Sequence, residues 1–205
     1  MSARTLLFVA AALVGFAGNS ILCRLALAQR EIDAVTFTTV RLVSGALVLA
    51  LLAFVRARPT KLPGDWRSAA ALFVYALPFS LAYLQLSTGT GALVLFGVVQ
   101  ATMIGFGIAK GERPPLGVWI GWLVALGGLV VLTAPGVSAP DPIAASSMAI
   151  AGFAWAIYSL RGRASQSPPL ATTAGNFVRS VPLVLVALAL ALAFAQPLHA
   201  SPRGL

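Results

Sequence analysis

Two arginines stand inside apolar stretches that otherwise carry no charge: Arg41 within residues 34–55 and Arg179 within residues 172–194. An ionisable group near the centre of a membrane-spanning helix costs about 2.5–3.5 kcal/mol to insert, so such a residue is a functional candidate by default. Arg carries a planar fork of donors that matches carboxylate and phosphate oxygens. Two readings stand for each arginine: a cationic lining that attracts such anions, or a structural group that bonds carbonyls of neighbouring helices or snorkels. Gln100 lies in the middle of another charge-free run, where it either reads a substrate's hydrogen bonds or ties two helices together. Asn19 with Ser20, Asn176, and the pair Trp155 and Tyr158 complete the candidate substrate pathway, although the two aromatics suit packing or an interfacial belt equally well. Pro78 and Pro182 each remove the bond to the carbonyl four residues earlier, which predicts two helix kinks.

The same survey excludes most other chemistry. Glu31, Asp33, Asp65, Glu112 and Asp141 all fall between apolar runs or at their ends, and the single His, His199, lies past the last run. No catalytic residue, metal site or cofactor site is assigned, and no phosphate-binding loop, metal-ligand helix motif or Ser/His pair is present. Proton coupling through a carboxylate within a span has no candidate. Glu112 is expected to cap or charge-pair in its loop, and Gln85 to lie at an interface.

The elements that position these residues are helices. Apolar residues form 59% of the 205-residue chain, charged residues only 9%, and the mean hydropathy is +0.93, far from a soluble protein with about 25% charge. A helix crossing a hydrocarbon core of about 30 Å needs about 20 apolar residues. Residues 5–23 and 34–55 each supply one span. Residues 68–109 are 42 charge-free residues; as one helix they would reach about 63 Å, so the chain must fold back, and Ser87-Thr88-Gly89-Thr90-Gly91 is the expected turn. Residues 114–134 give a fifth span, ended by Pro135-Gly136, with a sixth at 143–160 and a seventh at 172–194. The first is read as an uncleaved helix rather than a signal peptide. Gly107-x-x-x-Gly111 and Gly117-x-x-x-Gly121 are expected to permit close helix contacts.

The net charge of +9 does not point to nucleic acid, because the basic residues sit in short gaps between apolar runs. With the N-terminus in the cytoplasm, the inner loops hold Arg4, Arg56, Arg58, Lys61, Arg67, Lys110, Arg113, Arg161 and Arg163, while the outer side holds Arg30 and Arg203, with Arg24 near the outer end of the first span. That bias sets a cytoplasmic N-terminus.

An internal repeat links the two arginines. Gly15-Phe16-Ala17 and Arg24 recur as Gly152-Phe153-Ala154 and Arg161, an offset of 137, and Arg41 recurs as Arg179, an offset of 138. Five spans fill the first copy, residues 1–137, so the second, residues 138–205, begins with opposite orientation and holds two helices. Inverted duplication is a hallmark of secondary transporters. A full second copy would need three further helices.

The order of these motifs resembles the EamA-type domains of the drug/metabolite transporter superfamily. The resemblance rests on Asp33-Ala34-Val35-Thr36-Phe37 with Arg41-Leu42-Val43-Ser44-Gly45-Ala46-Leu47, on Leu81 to Leu93, on Gly111-Glu112-Arg113-Pro114-Pro115 with Trp119-Ile120-Gly121, Gly127-Gly128 and Val130, and on Ala154-Trp155-Ala156-Ile157-Tyr158. It covers nearly the whole chain. It implies an all-α integral membrane fold: one five-helix repeat plus the first two helices of an inverted second, about seven of ten helices. It also implies an exporter of small organic metabolites working by alternating access, multi-pass in a bacterial inner membrane. The expected partners are the lipid bilayer and a small-molecule substrate. The alternative is a truncated, non-transporting protein, or a subunit that completes its cavity with another copy of the chain as a homo-oligomer.

Overall fold

The computed structural model describes residues 2–57, 61–133, 140–194 and 200 of the chain. Arg58, the Pro135-Gly136 stop, the boundary at 137, His199 and Arg203 lie outside the described residues. Within them run seven helices: α1 (Ala3–Ala28), α2 (Ala34–Ala57), α3 (Trp66–Ala82), α4 (Thr88–Ala109), α5 (Leu116–Thr133), α6 (Pro142–Ala164) and α7 (Pro169–Ala193). An isolated antiparallel bridge pairs Ile32 with Ala200. Helices α1, α2, α4, α6 and α7 are long and apolar enough to cross a membrane. Helix α3, with 17 residues, and α5, with 18, sit at the short limit of about 17–25. The chain is an all-α integral membrane protein.

Five of the seven helices, α1, α2, α3, α4 and α6, start where a short polar side chain satisfies the first free amides. The Oδ1 of Asp33 accepts from the amides of Val35 and Thr36, that of Asp65 from Ser68, and that of Asp141 from Ala144, while Ser2 and Ser87 use their hydroxyls on Thr5 and Thr90. Three of the five carboxylates are thus helix N-caps, facing the positive end of the macrodipole, which explains why those three stand at helix starts rather than inside a span.

The turn between α3 and α4 lies earlier than the Ser/Thr/Gly cluster suggests. The chain reverses over Tyr83–Leu86, closed by backbone bonds from Leu84 to Leu81 and from Gln85 and Leu86 to Ala82. Ser87 is the N-cap, and Thr88-Gly89-Thr90-Gly91 form the first turn of α4. Polar helix starts and turns share a composition, hence the displacement. Pro78 consequently falls in the last turns of α3 rather than at a midpoint, while Pro182 sits near the middle of α7.

Helices α2, α3, α6 and α7 form the packed centre, with α2 against α7 and α3 against α6 the most extensive pairings; α4 packs on α6, and α5 leans on α4. The centre holds Leu42, Leu72, Phe79, Met148 and Val184, while Leu7, Val14, Leu116 and Val124 on α1 and α5 are exposed. Such faces are stable because lipid is as apolar as they are. The glycines that bring backbones together are not those of the spaced pairs: a side-chain carbon on Gly111, Gly117 or Gly121 would meet open space. Gly152 instead faces the Leu95 carbonyl of α4, and Gly175 faces the Pro63 carbonyl of the loop before α3. Gly175→Ala would therefore drive a methyl into backbone. We expect it to destabilise the folded protein by about 1–3 kcal/mol, read as a lower thermal midpoint in detergent, with Gly117→Ala close to neutral.

Candidate functional site

A cavity of about 440 Å³ opens among α1, α2, α3, α6 and α7. Arg41 projects from α2 onto α3. Its Nη2 donates to the Tyr75 hydroxyl at 3.1 Å, and its guanidinium lies over the Tyr75 and Phe79 rings at 5.4 and 5.2 Å from their centroids. Its Nη1 is buried and has no hydrogen-bond partner among the described residues. From α1, Asn19 Nδ2 donates to the same Tyr75 hydroxyl at 3.4 Å, and Asn19 Oδ1 accepts from the Cys23 thiol at 3.8 Å. Tyr75 thus joins three helices through one oxygen.

The walls are aromatic. Trp155 and Tyr158, a helical pair three residues apart on α6, stack at 5.5 Å, and Trp155 also meets Tyr75 at 4.7 Å and Phe16 edge-on at 5.9 Å. Tyr75 continues to Phe79 and Tyr83 along α3 at i+4 steps. Phe177 from α7 lines the same space and lies against Gly45, where any larger residue would collide with its ring.

Four sequence candidates therefore meet at one place: Asn19, Arg41, Trp155 and Tyr158. Asn176 and Arg179 do not join them. Asn176 is buried, and its Oδ1 accepts from the Asp65 amide at 3.1 Å. Arg179 Nη1 donates to the Gly175 carbonyl at 3.0 Å and reaches the carbonyls of Leu62 and Pro63. Together they bind the loop between α2 and α3 to α7. Gly64, at a φ of +125°, lets the loop pass against Asn176. Gln100 is exposed on α4 and outside the lining of the cavity. Neither Pro78 nor Pro182 lines it.

Tyr75 and Phe177 have no candidate status in the sequence, because an aromatic in an apolar run gives no spacing signal. The one available hint to Tyr75 is indirect: a cation in a span needs a partner, and Tyr75 is the tyrosine of the next helix.

Both ends of α3 are held by arginines, from α1 at one end and α6 at the other. At its C-terminal end Arg24 donates to the Tyr83 carbonyl at 2.7 Å. At its N-terminal end Arg161 pairs with Asp65 at 2.7 Å and donates from Nε to the Ser68 hydroxyl at 2.9 Å. Both residues lie near the C-terminal ends of their helices, so α1 runs parallel to α3 while α6 runs antiparallel to it. Partial burial would raise the Asp65 carboxyl, but hydrogen bonds from the Ser68 hydroxyl and amide and the adjacent Arg161 guanidinium together hold it below the usual carboxylate range.

These features define a multi-pass membrane protein with a mid-helix cavity that is aromatic-walled and bears one cation. Comparison with known proteins makes this specific. Residues 3–134 match the EamA-like transporter family. The chain is also 52% identical over 203 residues to an uncharacterized protein of Pseudomonas aeruginosa, a match that spans 98% of this chain and 69% of that protein. No solved structure matches. The chain belongs to the EamA-like transporter family, within the drug/metabolite transporter superfamily.

A carboxylate with a lowered folded-state pKa favours the native state above its unfolded value, about 3.9 for Asp, and loses that contribution as pH falls through the folded value. Acidification below about pH 4 should thus lower the thermal midpoint of the wild type, and part of that acid-dependent loss should be missing in Asp65→Asn. Melting curves against pH decide this; identical acid limbs in both proteins would rule the contribution out.

Proposed function

We propose that the chain moves small organic metabolites across a bacterial inner membrane by alternating access, with the cavity around Arg41 as the substrate path, the N-terminus in the cytoplasm, and export as the direction to test first. The observation that carries the reading is the convergence of Asn19, Arg41, Trp155 and Tyr158, from α1, α2 and α6, on one cavity.

On this reading residues 1–137 are one five-helix repeat and residues 138–205 the beginning of an inverted one. Support comes from helix direction: α6 runs opposite to α1 relative to the shared α3, and Arg179 in the N-terminal half of α7 reaches Leu62 in the loop that follows α2, consistent with α2 and α7 running antiparallel. An in-plane two-fold would relate those same pairs. Alternating access then requires the two rims to open in turn. The Asp65 rim is latched by Arg161, Asn176 and Arg179, and the Tyr83 rim by Arg24.

Proteoliposomes loaded with a mixture of small metabolites, their release followed by mass spectrometry, test the proposal. We expect protein-dependent release of a subset. Arg41→Ala and Trp155→Ala should each lower its rate about tenfold or more, while Gln100→Ala changes it by less than about twofold. Absence of protein-dependent release would sink the transport reading, and a loss in Gln100→Ala matching that of Arg41→Ala would move the path to α4.

A further inference from the structure

The cavity has a sign and a shape, and together they select a class of cargo. Its described lining contains one full charge, Arg41, and no carboxylate. Away from water that cation acts with little screening. The hydrogen-bonding groups next to Arg41 lean the same way, while the Tyr158 and Thr173 hydroxyls farther along the lining can donate or accept. The Tyr75 oxygen already accepts from Arg41 and Asn19, which leaves its own proton to donate. Arg41 Nη1 is buried with no partner among the described residues, and Asn19 Nδ2 keeps a second proton. Donors from three helices converge, and the one nearby side-chain amide oxygen, Asn19 Oδ1, faces Cys23.

We infer that this cavity takes a small monocarboxylate with a flat apolar body, its carboxylate on Arg41 and Tyr75 and its body between the aromatic rings; the inference rests on reading the cavity as the transport path. A guanidinium edge donates to two carboxylate oxygens side by side, and the orphaned Nη1 supplies half of that edge. One arginine balances one negative charge, which favours a carboxylate over a phosphate dianion. Phe16, Trp155, Tyr158 and Phe177 offer ring faces and edges to a planar body. A volume of about 440 Å³ suits one small molecule.

The test measures binding apart from movement. The full chain, purified in an uncharged detergent, is titrated calorimetrically with phenylacetate, neutral phenylacetamide, cationic phenethylamine and ring-free acetate. Phenylacetate should bind about tenfold or more tighter than each of the other three. Arg41→Gln should erase the preference for phenylacetate over phenylacetamide, and Arg41→Lys should restore part of it. Equal or tighter binding of phenethylamine, an unchanged preference in Arg41→Gln, or no binding of any of the four overturns the inference. If Arg41→Gln does not fold, as judged by its helical circular dichroism, the four wild-type titrations still decide. Selective binding of phenylacetate without release from proteoliposomes would reject transport and keep the ligand class; release of other metabolites without this preference would do the reverse.

Discussion

A cation carried into a membrane-spanning helix has to be solvated by the protein, and in this chain that requirement organises the centre. Arg41 obtains two aromatic faces and one hydroxyl, all from α3. Cation–π contacts contribute about 0.5–2 kcal/mol each, and a hydrogen bond to a charged group about 1.5–3 kcal/mol. Those gains are of the same order as the insertion cost of about 2.5–3.5 kcal/mol. The charge is therefore tolerated without a carboxylate to neutralise it, and its attraction for an anion survives. It also fixes the register of α2 on α3, which the buried Thr38 and Ser80 hydroxyls, 2.8 Å apart, reinforce toward the other end of the contact.

Helix α3 packs against α2, α6 and α7 and is reached at its C-terminal end by Arg24 of α1. It is too short to span with ease, yet its face from Leu72 through Phe79 is buried. Its two ends are tied to different helices by different arginines, Arg24 to one and Arg161 to the other. The Arg161–Asp65 pair is partly exposed, 35% and 46% by side chain, so it contributes little net stability and acts mainly to position the N-terminal end of α3.

Much of this was legible in the sequence because membrane helices obey few rules. The seven helices follow from charge-free runs and their lengths, and the two arginines from the cost of burying them. Trp155 and Tyr158 followed from their ring chemistry, which suited a ligand, packing or an interfacial belt alike. The turn before α4 was misplaced because Ser87 and Thr88 serve equally well in a loop or at a helix start. The spaced glycines of α4 and α5 misled for a related reason. A small residue permits close approach but does not compel it, and the contacts fell instead at Gly152 and Gly175, where a partner backbone happens to arrive. Tyr75 was illegible, since nothing local distinguishes a tyrosine that organises a site from one that packs.

The most instructive difference lies between the paired arginines themselves. Repeat arithmetic gives Arg41 and Arg179 equivalent places, yet their surroundings diverge. Arg179 spends its donors on the carbonyls of Leu62, Pro63 and Gly175, so its charge is dispersed into backbone dipoles and it acts as a tether. Arg41 leaves Nη1 without an acceptor among the described residues, so its charge stays available. The cause is the glycine at 175. Without a side chain there, the loop before α3 drops onto α7 and delivers carbonyls to Arg179. The corresponding position on α2 carries Phe37 instead of Gly175, so no backbone descends onto Arg41. Arg179 thus holds the loop before α3 onto α7, while Arg41 borders the cavity.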